Sequence, residues 1–193
     1  MFAKEDLLGW KIKLIRDAYQ GYRGIDGIIV HCLCNAHARR YFWLASKFAC
    51  TAYQRKLAQK IVDLYDDIFR IEREYKDRPS EELLSIRSTK VTELMNSISE
   101  CVTKILNDSL VIENGQLHRA AVYFRNNEVG LRQFLTDPNV PASNNKAERM
   151  VKPFALYRRN SLFFGSPQGA EDAAIIMSII RTAELNGLDP EKY

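Results

Sequence analysis

With 193 residues, the chain has room for one full-sized domain with a substantial core and too little for two. Its 46% hydrophobic and 27% charged residues exclude a disordered or fibrous protein, and no apolar run reaches the length of a membrane span. A net charge of +4 is only mildly basic, so bulk charge does not by itself call for nucleic acid.

Near the N-terminus, Lys11-Ile12-Lys13-Leu14-Ile15 alternates and ends at Arg16-Asp17, and Gly27-Ile28-Ile29-Val30-His31-Cys32-Leu33-Cys34 is a short apolar run after a glycine. Both read as strands, joined by a connection rich in Tyr and Gly. From Ala36 the period becomes helical, and Leu57, Ile61, Leu64, Ile68, Ile71 and Tyr75 step along one face of a long amphipathic helix. Asp77-Arg78-Pro79-Ser80 breaks it, with Ser80 placed to cap a second long helix whose first turn carries Glu81 and Glu82. The stripe of that helix is Leu84, Val91, Leu94, Met95, Ile98, Val102 and Ile105, and two such helices on a short link form an antiparallel hairpin. Asn114-Gly115 marks a turn, and residues 117–135 hold one or two further helices. A basic helix follows residues 137–143 and contains Pro153, which should kink or split it. The last helix, about 170–186, is apolar enough to be expected buried and stops at Gly187.

Charge is concentrated in the penultimate helix. Residues 143–160 hold Lys146, Arg149, Lys152, Arg158 and Arg159 against a single acid, Glu148, preceded by Asn144 and Asn145, whereas residues 61–82 are rich in Asp and Glu. A local basic surface of this kind suits phosphate binding, and it equally suits a solvated helix face. Glu148 stands at capping-box spacing from Asn145, so both capping and chemistry are open to it. Asp17, at a strand end, is placed either for a hard cation or for a turn cap. Cys34-Asn35-Ala36-His37 is a C-x-x-H pair followed by Arg39-Arg40, but no second pair of comparable spacing completes a zinc site. Phe163-Phe164-Gly165-Ser166 with Gly169 reads as a tight loop before a helix, without the spacing of a phosphate-binding fingerprint. Four cysteines without scaffold spacing and the lack of a leader-like segment suggest a reducing, cytoplasmic setting.

Three segments in this order resemble the transposases of the insertion sequence 66 family of bacterial mobile elements: residues 17–22, residues 34–42, and Asn144-Asn-Lys-Ala-Glu-Arg149 running on through Arg158-Arg-Asn-Ser-Leu-Phe-Phe-Gly-Ser166. The tail from Thr182 to Pro190 is also similar to the family's C-terminal stretch, while the helical middle matches in character only. The resemblance implies a mainly α protein with a small β element, a partial ribonuclease-H-like core carrying a helical insertion. It divides the chain into core residues 1–43, insertion 44–140 and C-terminal core helices 141–193. It further implies a DDE mechanism in which carboxylates hold Mg²⁺ or Mn²⁺ for attack on a DNA phosphodiester, with Asp17 as the second Asp and Glu148 as the final Glu. Lys146, Arg149, Lys152, Arg158, Arg159, Arg39 and Arg40 would contact DNA, with Asn144, Asn145, Cys34 and His37 in support. The family's first Asp falls upstream, so the chain resembles a C-terminal portion expected to bind metal weakly and to be inactive alone, and the family usually has Asp where Ser143 stands here. DNA in the bacterial nucleoid, a homo-oligomer and helper proteins of the element are the implied partners, with no membrane. A non-catalytic DNA-binding or helical interaction module remains the alternative.

Overall fold

The computed structural model describes residues 12–16, 29–160 and 164–192. Two strands, β1 (Ile12–Arg16) and β2 (Ile29–Leu33), precede seven α-helices: α1 (Asn35–Phe48), α2 (Ala52–Glu74), α3 (Ser80–Ile86), α4 (Thr92–Leu106), α5 (Gln116–Leu131), α6 (Asn145–Asn160) and α7 (Pro167–Leu185). The protein is therefore mainly helical with a small β element. The chain forms two compact units, Met1–Asn144 and Asn145–Tyr193.

In the first unit β1 and β2 pair in parallel, with Lys13 opposite Val30, Ile15 opposite Cys32 and Arg16 opposite Leu33. A parallel pair is joined by a crossover rather than by a hairpin turn. Burial does not alternate along β2: Val30 is exposed, while Cys32, on the same face of the strand, is buried. Leu33 is buried as well, because α5 lies against β2 at Gly130, where a β-carbon would stand 2.8 Å from Leu33 Cγ. Only glycine admits this approach of helix to strand.

The helical stretch after Ala36 is two helices rather than one. Ala49 leaves the helix in an extended conformation, and Thr51 starts α2 with its hydroxyl accepting from the Gln54 amide at 3.1 Å. This is an ordinary Thr cap, hidden in sequence because the apolar period continues across it. Phe42 of α1, Ile61, Tyr65 and Ile68 of α2, Met95, Ile98 and Val102 of α4, and Phe124 of α5 join the strands in one core. Residues 44–140 thus share their packing with β2.

The α2 to α4 hairpin is antiparallel, since Tyr53 at the start of α2 donates to Asp108 just beyond α4 at 2.6 Å. Its link differs from the expectation at two points. Pro79 rather than Ser80 occupies the cap of α3, without a side-chain cap bond. A π-helical turn over Arg87–Val91 then interrupts the run. The extra residue rotates the following stripe and brings Arg87 inside, 1% exposed, where the sequence pattern shows only a gap between Leu84 and Val91. Its Nε and Nη2 donate to the two carboxylate oxygens of Glu72 at 2.8 and 2.6 Å, and Nη1 donates to the carbonyls of Phe134 and Asp137 at 2.6 and 2.8 Å. The guanidinium also lies 5.2 Å from the Phe134 ring centre. The charge is buried with its partners in place, the condition under which burial of an ion is tolerated.

In the second unit α6 runs through Pro153 unbroken, so the expected split does not occur. Serine 166 caps α7, its hydroxyl accepting from the Gly169 amide at 3.0 Å, and Gly165 before it takes φ +72°. The expected burial of α7 is not found: Ile175, Ile176 and Ile179 are exposed, and of the helix only Ala173 and Ala183 are buried. The cause is the apolar run itself, which goes round the helix and exceeds what α6 can cover. No helix among the described residues is long and apolar enough to cross a membrane.

Candidate functional site

The C-terminal ends of two parallel strands are where an α/β arrangement usually presents its chemistry, because the following loops and helix N-termini converge there. At this edge the Cys34 amide donates to the Arg16 carbonyl at 3.0 Å, and the Asn35 amide donates to the Ala142 carbonyl at 3.0 Å. Asn35 is wholly buried, and its Nδ2 donates to the carbonyls of Leu131 at 3.0 Å and Ala142 at 3.3 Å. One asparagine thereby pins the start of α1 to the end of α5 and to the segment that enters the Asn144-Asn145 motif. Its Oδ1 and that of Asn144 are both buried without a donor among the described residues. Buried acceptors left unpaired cost on the order of 1–3 kcal/mol each, so this edge is stabilised by any donor that reaches it.

Asp17 is the next residue in sequence after the last residue of β1 and lies outside the described residues. Cys34 is buried at the N-cap position of α1, and His37 lies in the first turn of that helix. Arg39 and Arg40 diverge. Arg39 makes a two-pronged pair with Asp66 of α2 at 2.7 and 3.0 Å, while Arg40 is exposed. Burial raises the Cys32 thiol above its ordinary value, so it is held protonated. Lys13 of β1 donates to the Asp137 carboxylate at 2.7 Å and holds that acid below its usual range.

Glu148 is the fourth residue of α6, one later than a capping box built on the residue before the helix would require. Glu148, Lys146, Arg149, Lys152, Arg158 and Arg159 are all exposed. At about 100° per residue, Asn145, Glu148, Arg149, Lys152 and Arg159 fall on one side of the helix. The other side carries Met150 and Phe154, which line a cleft of about 290 Å³ with Met177 and Arg181 of α7. Phe154 and Tyr157 also stack with Phe164, ring centres 5.1 and 5.9 Å apart. Aromatic packing thus orients α6 within its unit so that the acid and three cations point away from α7.

Residues 2–172 match the family described as Transposase IS66 family. The chain belongs to the IS66 transposase family. It is similar to three uncharacterized proteins of Sinorhizobium fredii (strain NBRC 101917 / NGR234): y4hP, 31% identical over 98% of this chain and 37% of the relative; y4jD, 32% identical over 81% and 30%; and y4qI, 27% identical over 81% and 28%. The chain thus spans about a third of the length of these relatives. No solved structure matches it.

Among the residues of this IS66 family chain, sequence reasoning overlooked Asn35 and the Arg87–Glu72 pair. Asn35 was visible as a polar residue directly between an apolar strand and a helix. Arg87 was visible only as the missing step in an apolar stripe. Among the described residues no group of three or more His, Cys, Asp or Glu side chains is gathered to hold a metal ion. Asp17, the other acid that the resemblance assigns to a metal, lies outside those residues.

Proposed function

We propose that this chain is the C-terminal catalytic-domain portion of an IS66 transposase, acting on DNA, with Asp17 and Glu148 as its two contributions to a carboxylate set for Mg²⁺ or Mn²⁺. Such ions, when bound, would polarise the phosphate and activate the attacking hydroxyl. The reading rests most heavily on one observation: α6 carries a lone carboxylate and the cations Arg149, Lys152 and Arg159 on a single exposed side. The protein groups' own tasks are then distinct. Arg149, Lys152 and Arg159 neutralise and position the DNA backbone, as do Lys146 and Arg158 around the helix and Arg40 on α1. Asn35 holds the strand edge and the entry to α6 in register, supported by Asn144, Asn145, Cys34 and His37. The remaining carboxylate of a DDE set lies upstream in the resemblance, so cleavage by this chain alone is expected to be weak or absent.

The test is duplex DNA binding by the full chain, followed by fluorescence anisotropy with and without Mn²⁺. Mn²⁺ should tighten binding, and Asp17→Asn or Glu148→Gln should each remove that gain while leaving metal-free binding intact. Metal-free binding that falls steeply with salt and ignores Glu148→Gln at every Mn²⁺ concentration would instead identify a non-catalytic DNA-binding module.

A further inference from the structure

Beside Arg40, the exposed side of α1 carries an indole and a second cation that the transposase reading does not absorb. The helix contains Arg39, Arg40 and Lys47 and no Asp or Glu. Arg39 is taken up by Asp66, which fixes α1 against α2. Arg40 and Lys47 are exposed and, among the described residues, meet no acid. Between them, at spacings of three and four that place all three on one face, stands Trp43, a large indole 40% exposed. Phe48 beyond it is 66% exposed. The opposite face of the same helix, Ala38, Phe42 and Ala45, is fully buried in the core. The exposed aromatic is therefore carried on a helix that cannot rotate to hide it.

Trp43 keeps part of its indole face in water, and the groups flanking it restrict what can cover it. Two unpaired cations one turn to either side disfavour a second copy of the same basic face, since like charges would be brought together. They favour a polyanion that also offers flat apolar faces. Duplex DNA offers phosphates but keeps its bases stacked inside. An unpaired strand offers both, and alternating stacking and phosphate contacts is how single strands are gripped without reading sequence.

We propose that the Arg40–Trp43–Lys47 face of α1 binds single-stranded DNA, with a base stacked on the Trp43 indole and the neighbouring phosphates on Arg40 and Lys47. This rests on the reading of the chain as a DNA-acting protein and adds a strand state and residues of α1.

The experiment uses the full chain carrying Trp10→Phe, so that Trp43 is the remaining indole, titrated with an oligothymidylate and with a duplex of the same length. The oligothymidylate should quench Trp43 fluorescence and the duplex should not. Trp43→Leu should weaken oligothymidylate binding about tenfold, Trp43→Phe should retain most of it, and duplex binding should be unchanged by either. Arg40→Ala with Lys47→Ala should reduce the slope of log affinity against log salt by about 1.4 for the single strand. Equal affinity of Trp43→Leu and Trp43→Phe for the oligothymidylate overturns the proposal, as does quenching by duplex and single strand alike. Loss of a dimer in sedimentation on Trp43→Leu, with single-strand binding intact, also overturns it and assigns the face to a second copy. The two readings fail separately: Arg149→Ala with Lys152→Ala abolishes duplex binding if α6 is the duplex site, whatever Trp43 does.

Discussion

The α2 to α4 hairpin and the helix α6 carry similar densities of charge and use it in opposite ways. At the hairpin's end the charge is largely internal: Arg87 is buried, bidentate to the partly buried Glu72, and donates to the carbonyls of Phe134 and Asp137. In α6 no residue is buried, and its charged residues are exposed, while Met150 and Phe154 line a cleft with α7. Charge in the first setting sets shape, and charge in the second is available to a partner. Substitutions in the two regions should therefore separate stability from binding.

The largest expected effect is on stability. Arg87→Ala removes the partner of the partly buried Glu72 and the donor to the Phe134 and Asp137 carbonyls, and should cost about 3–5 kcal/mol, read as a lower urea midpoint. Gly130→Ala comes next. Its new methyl meets Leu33 within a fully packed interface, and a loss of about 1–3 kcal/mol should appear in the same measurement. If Gly130→Ala is neutral, the close approach of α5 to β2 is not what holds the sheet edge. The exposed Arg39–Asp66 pair should contribute only about 0.2–1 kcal/mol, measured by a double-mutant cycle, despite its ideal geometry.

Acid sensitivity offers a finer comparison. Because Lys13 depresses the folded-state pKa of Asp137, their link is fully present above the ordinary carboxylate value of 3.8 and is lost as the pH falls through the lower folded-state value. Wild type should therefore exceed Lys13→Met in stability at neutral pH, and the gap should close below that value. A gap independent of pH would mean that Lys13 acts through packing of its stem. Smallest of all, Arg149→Ala and Lys152→Ala should change the unfolding free energy from urea titration by less than about 0.5 kcal/mol, while each weakens duplex DNA binding.

Much of the fold was legible in sequence because period and burial coincide. Strands β1 and β2, the hairpin stripe through Met95, Ile98 and Val102, and the stop at Gly187 all follow from local pattern. What was not legible depends on single residues that break a pattern without changing its average. Thr51 divides α1 from α2 inside a continuous apolar period, and the π turn at Arg87 shifts a stripe by one residue. The parallel sense of the strands is a tertiary property that no alternation encodes. The exposure of α7 was misjudged because apolar content alone cannot say how many neighbours a helix has. For the candidate site, the motif around Glu148 and its cations was visible from charge against composition. Asn35 was not, because its role lies in carbonyls from Leu131 and Ala142, about a hundred residues away in sequence.

The most direct test of the account is a Mn²⁺ titration of duplex DNA binding by wild type and Glu148→Gln, with urea midpoints measured on both proteins. The account predicts equal midpoints, equal metal-free affinity, and Mn²⁺-dependent tightening in wild type alone. Superimposable Mn²⁺ curves for the two proteins would contradict it and leave α6 as a basic surface in which Glu148 has no catalytic part.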